Sequence, residues 1–235
     1  MNSYFQFKQF RIEQGNCAMK VSTDACIQGA WTPIADYVKN ILDIGTGTGL
    51  LSLMLAQRNA DVHIDAIELD IAAAKQAGEN FHSSPWKERL ISIHADAKIY
   101  NPDKQYDMIV CNPPFFQNSL LGPDALRNTA RHTHAFEYAD LIAVMERLLN
   151  QQGYASVILP ATEHNIWEAL LIKAGWNINA KLQIQPLPHK AVNRIVSICS
   201  REKKLKKTDR LSIYAEQGKY TSEFTELLQP YYLQL

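Results

Sequence analysis

Two short stretches of this chain carry residue types and spacings that could do chemistry. The first is Asn112-Pro113-Pro114-Phe115, which follows the apolar run Met108-Ile109-Val110-Cys111. Paired prolines fix the backbone and remove two N–H donors. Such a corner offers a rigid pair of acceptors, the Asn112 side-chain oxygen and the Pro113 carbonyl. That pair suits an amine that must donate two hydrogen bonds. The lone pair of an aromatic amine is delocalised into its ring and attacks poorly. Positioned acceptors draw the nitrogen toward tetrahedral geometry, free the lone pair and stabilise positive charge as it develops. No general base has to act first, because the proton becomes acidic only as the new bond forms. Phe115, with Phe116 beside it, is placed to stack on a flipped base, a contact worth about 1–3 kcal/mol in general.

The second stretch is Asp43-Ile44-Gly45-Thr46-Gly47-Thr48-Gly49-Leu50. Glycines between a strand and a helix let a ligand approach the backbone closely, and the helix N-terminus presents free N–H groups. The dinucleotide fingerprint is G-x-G-x-x-G. Gly45 and Gly47 fit it, but Leu50 stands at the third glycine position and Gly49 comes one residue early. Asp43 would also place negative charge near a pyrophosphate. An acid suits a cationic ligand better. S-adenosyl-L-methionine has an ammonium, a sulfonium and no phosphate, and Asp43 could attract its ammonium directly or through water. Glu68 ends the next strand, where an acid can accept both ribose hydroxyls. Asp96 follows the strand after that, in His94-Ala95-Asp96-Ala97, where it can accept from an adenine amine. Asp70 is the competing acid near Glu68, and it reads as the cap of the following helix.

The elements that must position these residues alternate. Short apolar runs at 41–44, 62–68, 90–95, 106–111, 154–159, 178–185 and 193–200 read as strands. Helical patterns at 50–57, 71–81, 136–150 and 163–174 lie between them. This order predicts an α/β fold with a doubly wound, mostly parallel, seven-stranded sheet. The last two strands have no helix between them, so one is expected to run antiparallel. Residues 1–38 are expected to form a hairpin and helix over the cofactor site, 39–200 a Rossmann-like core, and 201–235 a basic loop and C-terminal segment, all within a single domain.

Composition narrows the class without naming a partner. The 235 residues are 46% hydrophobic and 20% charged, with Lys+Arg and Asp+Glu equal at 24 each. A nucleic-acid partner must therefore come from local clusters. The cysteines, Cys17, Cys26, Cys111 and Cys199, form no C-x-x-C and suit a reducing compartment. No signal peptide or membrane span is expected, so the expected form is a cytoplasmic monomer. His132 and His134 have no nearby acid or cysteine to complete a metal site, and none is expected.

With these motifs together, the chain resembles the class I, Rossmann-like methyltransferases that carry an Asn-Pro-Pro-aromatic motif. Within them it is similar to the bacterial tRNA(Val) adenine-N6 methyltransferase family. The resemblance covers nearly the whole chain. It runs from Phe7-Lys8-Gln9-Phe10, Cys17-Ala18-Met19-Lys20-Val21, Thr23-Asp24 and Gly29-Ala30-Trp31 through the two stretches above to residues 127–132 and 216–221. It implies S-adenosylmethionine as cofactor and N6 of the adenine beside the anticodon of tRNA(Val) as target. It implies cofactor roles for Asp43, Gly45, Thr46, Gly47, Glu68, Asp96, Ala97 and Asn112. It also implies that Lys20, Thr23 and Asp24 lie near the methionine end. Catalytic roles fall to Asn112, Pro113 and Phe115. Glycine would be expected where this chain has Ser22 and Ala25.

Contacts to RNA are expected from Phe115 and Phe116, and from Arg127 and Arg131 in the loop that follows. Lys203, Lys204, Lys206 and Lys207 form the densest basic run. They could track an RNA backbone with salt-dependent affinity or be a solvated loop, and the arginine loop carries the same two readings. Three rival functions share parts of the pattern. Methylation of a protein glutamine needs the same acceptors, but such enzymes place a helical domain ahead of the glycine loop, and 42 residues precede Asp43. Guanine-N2 methylation of rRNA often involves a duplicated domain. A dehydrogenase-like nucleotide binder would need the missing third glycine.

Overall fold

The computed structural model describes residues 3–17, 19–113, 136–216 and 218–235. In chain order the elements begin with a hairpin, β1 (Tyr4–Gln6) and β2 (Arg11–Glu13), and helix α1 (Thr23–Trp31). Then come β3 (Asn40–Ile44), α2 (Leu50–Arg58), β4 (His63–Glu68), α3 (Ile71–His82), β5 (Leu90–His94) and β6 (Tyr106–Cys111). The second half holds α4 (Tyr138–Leu148), β7 (Leu149–Pro160), α5 (Ala161–Lys173), β8 (Asn177–Gln185), β9 (Arg194–Ser200) and β10 (Lys207–Ser212). A small hairpin, β11 (Tyr214–Glu216) and β12 (Lys219–Tyr220), leads into α6 (Ser222–Leu228).

The central sheet has the order β10-β8-β9-β7-β6-β3-β4-β5. Every neighbouring pair is parallel except the two made by β9, which runs against both β7 and β8. The class is the doubly wound one read from the sequence. The sheet has an eighth strand beyond the seven expected. β10, Lys-Thr-Asp-Arg-Leu-Ser, lacks the apolar run that marks the others, as suits a polar edge strand with one neighbour. Both faces are covered. Ile41, Met108 and Val110 face a core shared with α1, α2 and α3. Leu42, Ile44, Ile109 and Cys111 face a core shared with α4 and α5. Burial on both faces explains why the central strands β3, β6 and β7 are mostly apolar on both faces rather than alternating.

The turn from β3 into α2 depends on glycine. Gly45, Gly47 and Gly49 have φ of 68°, 57° and 84°. Gly49 is the N-cap of α2, and a Cβ there would meet the Phe81 ring, with Cζ at 3.0 Å and Cε1 closer still. Gly49→Ala is therefore expected to destabilise the fold by about 2–4 kcal/mol, from the left-handed backbone and the overpacking together. Urea titration checks this, and a loss under about 1 kcal/mol would show that Phe81 gives way freely.

Candidate active site

The topology fixes where a ligand can sit. β3 has β4 on one side and β6 on the other, so the crevice at the C-terminal ends of these strands is a switch point. A cavity of about 430 Å³ opens there. The loop Gly45-Thr46-Gly47 lines it, together with Glu68 and Asp70 from the end of β4 and Asn112 from the end of β6. Asn16, Cys17, Met19, Lys20 and Ser22, from the segment ahead of α1, also line it. The loop is tied down from below, because the N–H groups of Gly45 and Thr46 both donate to the Ile67 carbonyl, at 2.9 and 3.2 Å. A Cβ added to Gly45 would meet nothing within 4 Å, so its bare backbone faces open space.

Asn112 is half-buried and follows directly on β6. Its side-chain oxygen Oδ1 is shielded from solvent and has no hydrogen-bond partner among the described residues. A shielded acceptor without a donor is rare in folded proteins and calls for an explanation. On a cavity wall, the explanation is a donor brought by a ligand. Pro113, the next residue, is buried.

Asp43 sits behind the loop and is fully buried. Its Oδ2 accepts from the hydroxyls of Thr46 and Ser52, both at 2.7 Å, which holds Thr46 in place on the cavity wall. Its Oδ1 is buried and has no partner among the described residues. Burial pushes the carboxyl up from 3.8 to about 6 against the pull of those hydrogen bonds, with the nearby Glu68 charge adding to the rise. A buried carboxylate with a free oxygen and a raised pKa favours a cation nearby.

Glu68 has both oxygens engaged by backbone. Oε2 accepts from Gly47 N–H at 2.9 Å and Oε1 from Asp70 N–H at 3.1 Å. Each oxygen keeps a lone pair for a ligand hydroxyl. Asp70 caps α3, its side chain accepting from Ala73 N–H at 2.8 Å. Ser22 caps α1 in the same way, accepting from Ala25 N–H at 3.2 Å, which gives a reason for serine where the resemblance expects glycine. Burial raises the Cys17 thiol, so it lines the cavity as a neutral wall and not as a nucleophile.

Of the sequence-predicted cofactor residues, the structure brings Lys20, Gly45, Thr46, Gly47, Glu68 and Asn112 to one cavity. Asp43 stands just behind it. Four others do not line it. Thr23 is exposed, and Asp24 is paired with Arg194 at 2.8 Å. Asp96 turns its carboxylate to the N–H of Lys98 at 2.9 Å, and Ala97 is buried in the core beside α4. Phe115, Phe116, Arg127, Arg131, His132 and His134 lie outside the described residues.

The basic run sits elsewhere. β9 runs antiparallel and β10 parallel, so the link between them lies at the opposite edge of the sheet from the cavity. Lys204, Lys206 and Lys207 pair with Glu202, Glu168 and Asp209 at 2.9, 2.9 and 3.1 Å, and Lys203 is exposed beside them. Sequence reasoning missed Asn16, Ser52 and Met19. Ser52 falls on α2, and only the fold brings it to Asp43. A wider, more open groove of about 590 Å³ on α3 and the edge strand β5 holds none of the predicted residues. Among the described residues, no helix is long and apolar enough to cross a membrane, and no cluster of His, Cys, Asp and Glu could hold a metal ion.

Comparison with known proteins places this geometry in a family. Residues 32–156 match the methyltransferase small domain. The chain is 42% identical over 235 residues, covering all of both chains, to tRNA1(Val) (adenine(37)-N6)-methyltransferase of Aliivibrio salmonicida. It is 41% identical over 232 residues to the protein of the same name from Tolumonas auensis, covering 98% of this chain and 97% of that one. A predicted O-methyltransferase from Agrobacterium tumefaciens shares the fold at 17% identity, with a TM-score of 0.70 over 88% of this chain and 96% of that one. At that identity the likeness extends to the fold alone. Identity at this level over the full length, with the glycine cavity and the asparagine corner both in place, shows that the chain belongs to the tRNA1(Val) (adenine(37)-N6)-methyltransferase family.

Proposed function

We propose that this protein methylates N6 of the adenine beside the anticodon of tRNA(Val), with S-adenosylmethionine as methyl donor, in the cytoplasm. The observation that carries the reading is the solvent-shielded, unpartnered Asn112 oxygen on the wall of the glycine-lined cavity. It is an acceptor awaiting an amine donor. The cavity also fits the cofactor. The positive-φ glycines expose backbone, Asp43 carries a buried, unpartnered oxygen behind the loop, and Glu68 keeps lone pairs for ribose hydroxyls. When bound, S-adenosylmethionine supplies an electrophilic methyl on a sulfonium.

The protein's part is positioning and charge. Asn112 Oδ1 accepts one N–H of the adenine amine, and the Pro113 carbonyl is the proposed acceptor for the other. Together they hold the nitrogen lone pair free of the ring and stabilise the positive charge that grows on it. Proton loss follows methyl transfer, so no basic side chain is required ahead of it. Lys20, on the cavity wall, is the proposed partner of the cofactor carboxylate. Asp43 supplies negative charge from behind the loop.

The test is incubation of the enzyme with methyl-labelled cofactor and total tRNA from a strain lacking the gene, followed by nucleoside mass analysis. The expected product is N6-methyladenosine. A methylated guanine, or label carried into protein glutamine, would overturn the reading. Phe115→Ala is expected to reduce kcat/KM for tRNA by about 10- to 100-fold, the loss of one base-stacking contact. Affinity for S-adenosylhomocysteine should hold. Steady-state kinetics beside calorimetry checks this, and unchanged kinetics would remove Phe115 from the base pocket.

A further inference from the structure

Helix α1 carries a buried polar residue that does not line the cavity. Gln28 is fully buried. Its side-chain Nε2 donates to the carbonyl of Cys111 at 3.1 Å and to the carbonyl of Ser156 at 3.1 Å, with the Ser156 hydroxyl at 3.4 Å. Cys111 is the last residue of β6 and Ser156 lies on the adjacent β7. The Ser156 hydroxyl is itself bonded to Thr32 Oγ1 at 2.7 Å. Arg58 of α2 pins the end of α1, donating to the carbonyls of Gly29 and Thr32 at 2.8 and 2.6 Å.

The Cys111 carbonyl belongs to the same peptide group as the Asn112 N–H. That group is planar, so a hydrogen bond at one end fixes the plane from which Asn112 departs. We infer that Gln28 is a positioning residue for methyl transfer, holding the Cys111–Asn112 peptide so that the Asn112 oxygen meets the substrate amine. The inference rests on the proposed role of Asn112. A second observation favours function over folding. The other half of the Gln28 amide, Oε1, is buried without a partner among the described residues. An unpartnered buried polar atom weakens the fold, so Gln28 is not what stability alone would select. Its donor matches the two carbonyls while its acceptor goes unused.

Gln28→Met keeps length and bulk and removes the donor. A displaced catalytic group costs rate steeply, so kcat is expected to fall between roughly 10- and 100-fold. The KM for tRNA and the affinity for S-adenosylhomocysteine should stay within about twofold of wild type, since Gln28 touches neither ligand. The lost hydrogen bonds lower the melting midpoint in either case, whereas a merely structural role would weaken cofactor binding in step with activity. Gln28→Glu is the second variant, since a carboxyl donates only when protonated. At saturating cofactor, its kcat relative to wild type should rise as pH falls from about 8 to about 6. Unchanged kcat in Gln28→Met, or a flat relative profile in Gln28→Glu, overturns the inference. Wild type run alongside separates the two questions. If it makes no N6-methyladenosine, the proposed function fails, whereas normal wild-type turnover with an unaffected variant sinks only the role of Gln28.

Discussion

Replacing Asn112 with alanine is expected to lower kcat by about 10²–10³-fold, the usual effect of removing one preorganised hydrogen-bonding group from a site of developing charge. The lost group is the acceptor that has no partner among the described residues. Its removal breaks no hydrogen bond of Oδ1 and leaves the Gly45-Thr46-Gly47 wall of the cavity untouched. The melting midpoint should therefore hold or rise slightly, as happens when a site kept for function is relieved of an unsatisfied polar atom. Affinity for S-adenosylhomocysteine, read by calorimetry, should change little. Stopped turnover with intact ligand binding is the signature of a group that acts on the amine. Parallel loss of both would make Asn112 a cofactor residue only, and near-normal turnover would move the chemistry elsewhere in the cavity.

What the sequence revealed of this site, and what it hid, follows from the range of the interactions. The glycine loop and the Asn112 corner are local. Their backbone demands are met by residue type within a few positions, so both were legible. The strands were legible because a sheet buried on both faces needs apolar runs such as residues 108–111. β10 was not, since an edge strand tolerates Lys207, Asp209 and Arg210 in its outer positions. Asp43 was read as attracting the cofactor ammonium directly or through water; it stands behind the wall, where Thr46 and Ser52 hold one of its two oxygens. The lysines after Arg201 looked like a cationic strip. Glu168, distant in sequence, pairs with Lys206 and also with Lys181, the latter at 2.6 Å. Gln28 left no local signal at all. A glutamine on a helix is ordinary until topology lays two strand carbonyls beneath it.

Asp43→Asn is expected to separate stability from cofactor binding. With its carboxyl raised from 3.8 to about 6 by burial, the folded protein holds a proton between those values that the unfolded chain has released. Stability then falls as pH rises through that window and levels off above about pH 6. Two pKa units at about 1.36 kcal/mol each put the loss near 3 kcal/mol. Asparagine has no charge to bury. Its amide nitrogen instead takes an unpartnered position, costing about 1–3 kcal/mol at every pH. The sign of the net change at one pH is thus open to that offset, but its slope is not. Without ligand, the melting midpoint of Asp43→Asn minus that of wild type should grow between about pH 4 and about pH 6 and stay flat above. Ligand behaviour should run the other way. The stabilisation of wild type by S-adenosylhomocysteine, whose ammonium offsets the buried charge, should be full at neutral pH and fade as pH drops below about 6. In Asp43→Asn it should be small and nearly independent of pH, with affinity reduced by roughly 10- to 100-fold for the loss of a charge interaction of about 1.5–3 kcal/mol. Differential scanning fluorimetry across pH, with and without S-adenosylhomocysteine, reads both effects on the same samples. If the ligand stabilises wild type equally at pH 5 and pH 7.5, the Asp43 charge plays no part in holding it, and the acid behind the glycine loop serves only to orient Thr46 and Ser52.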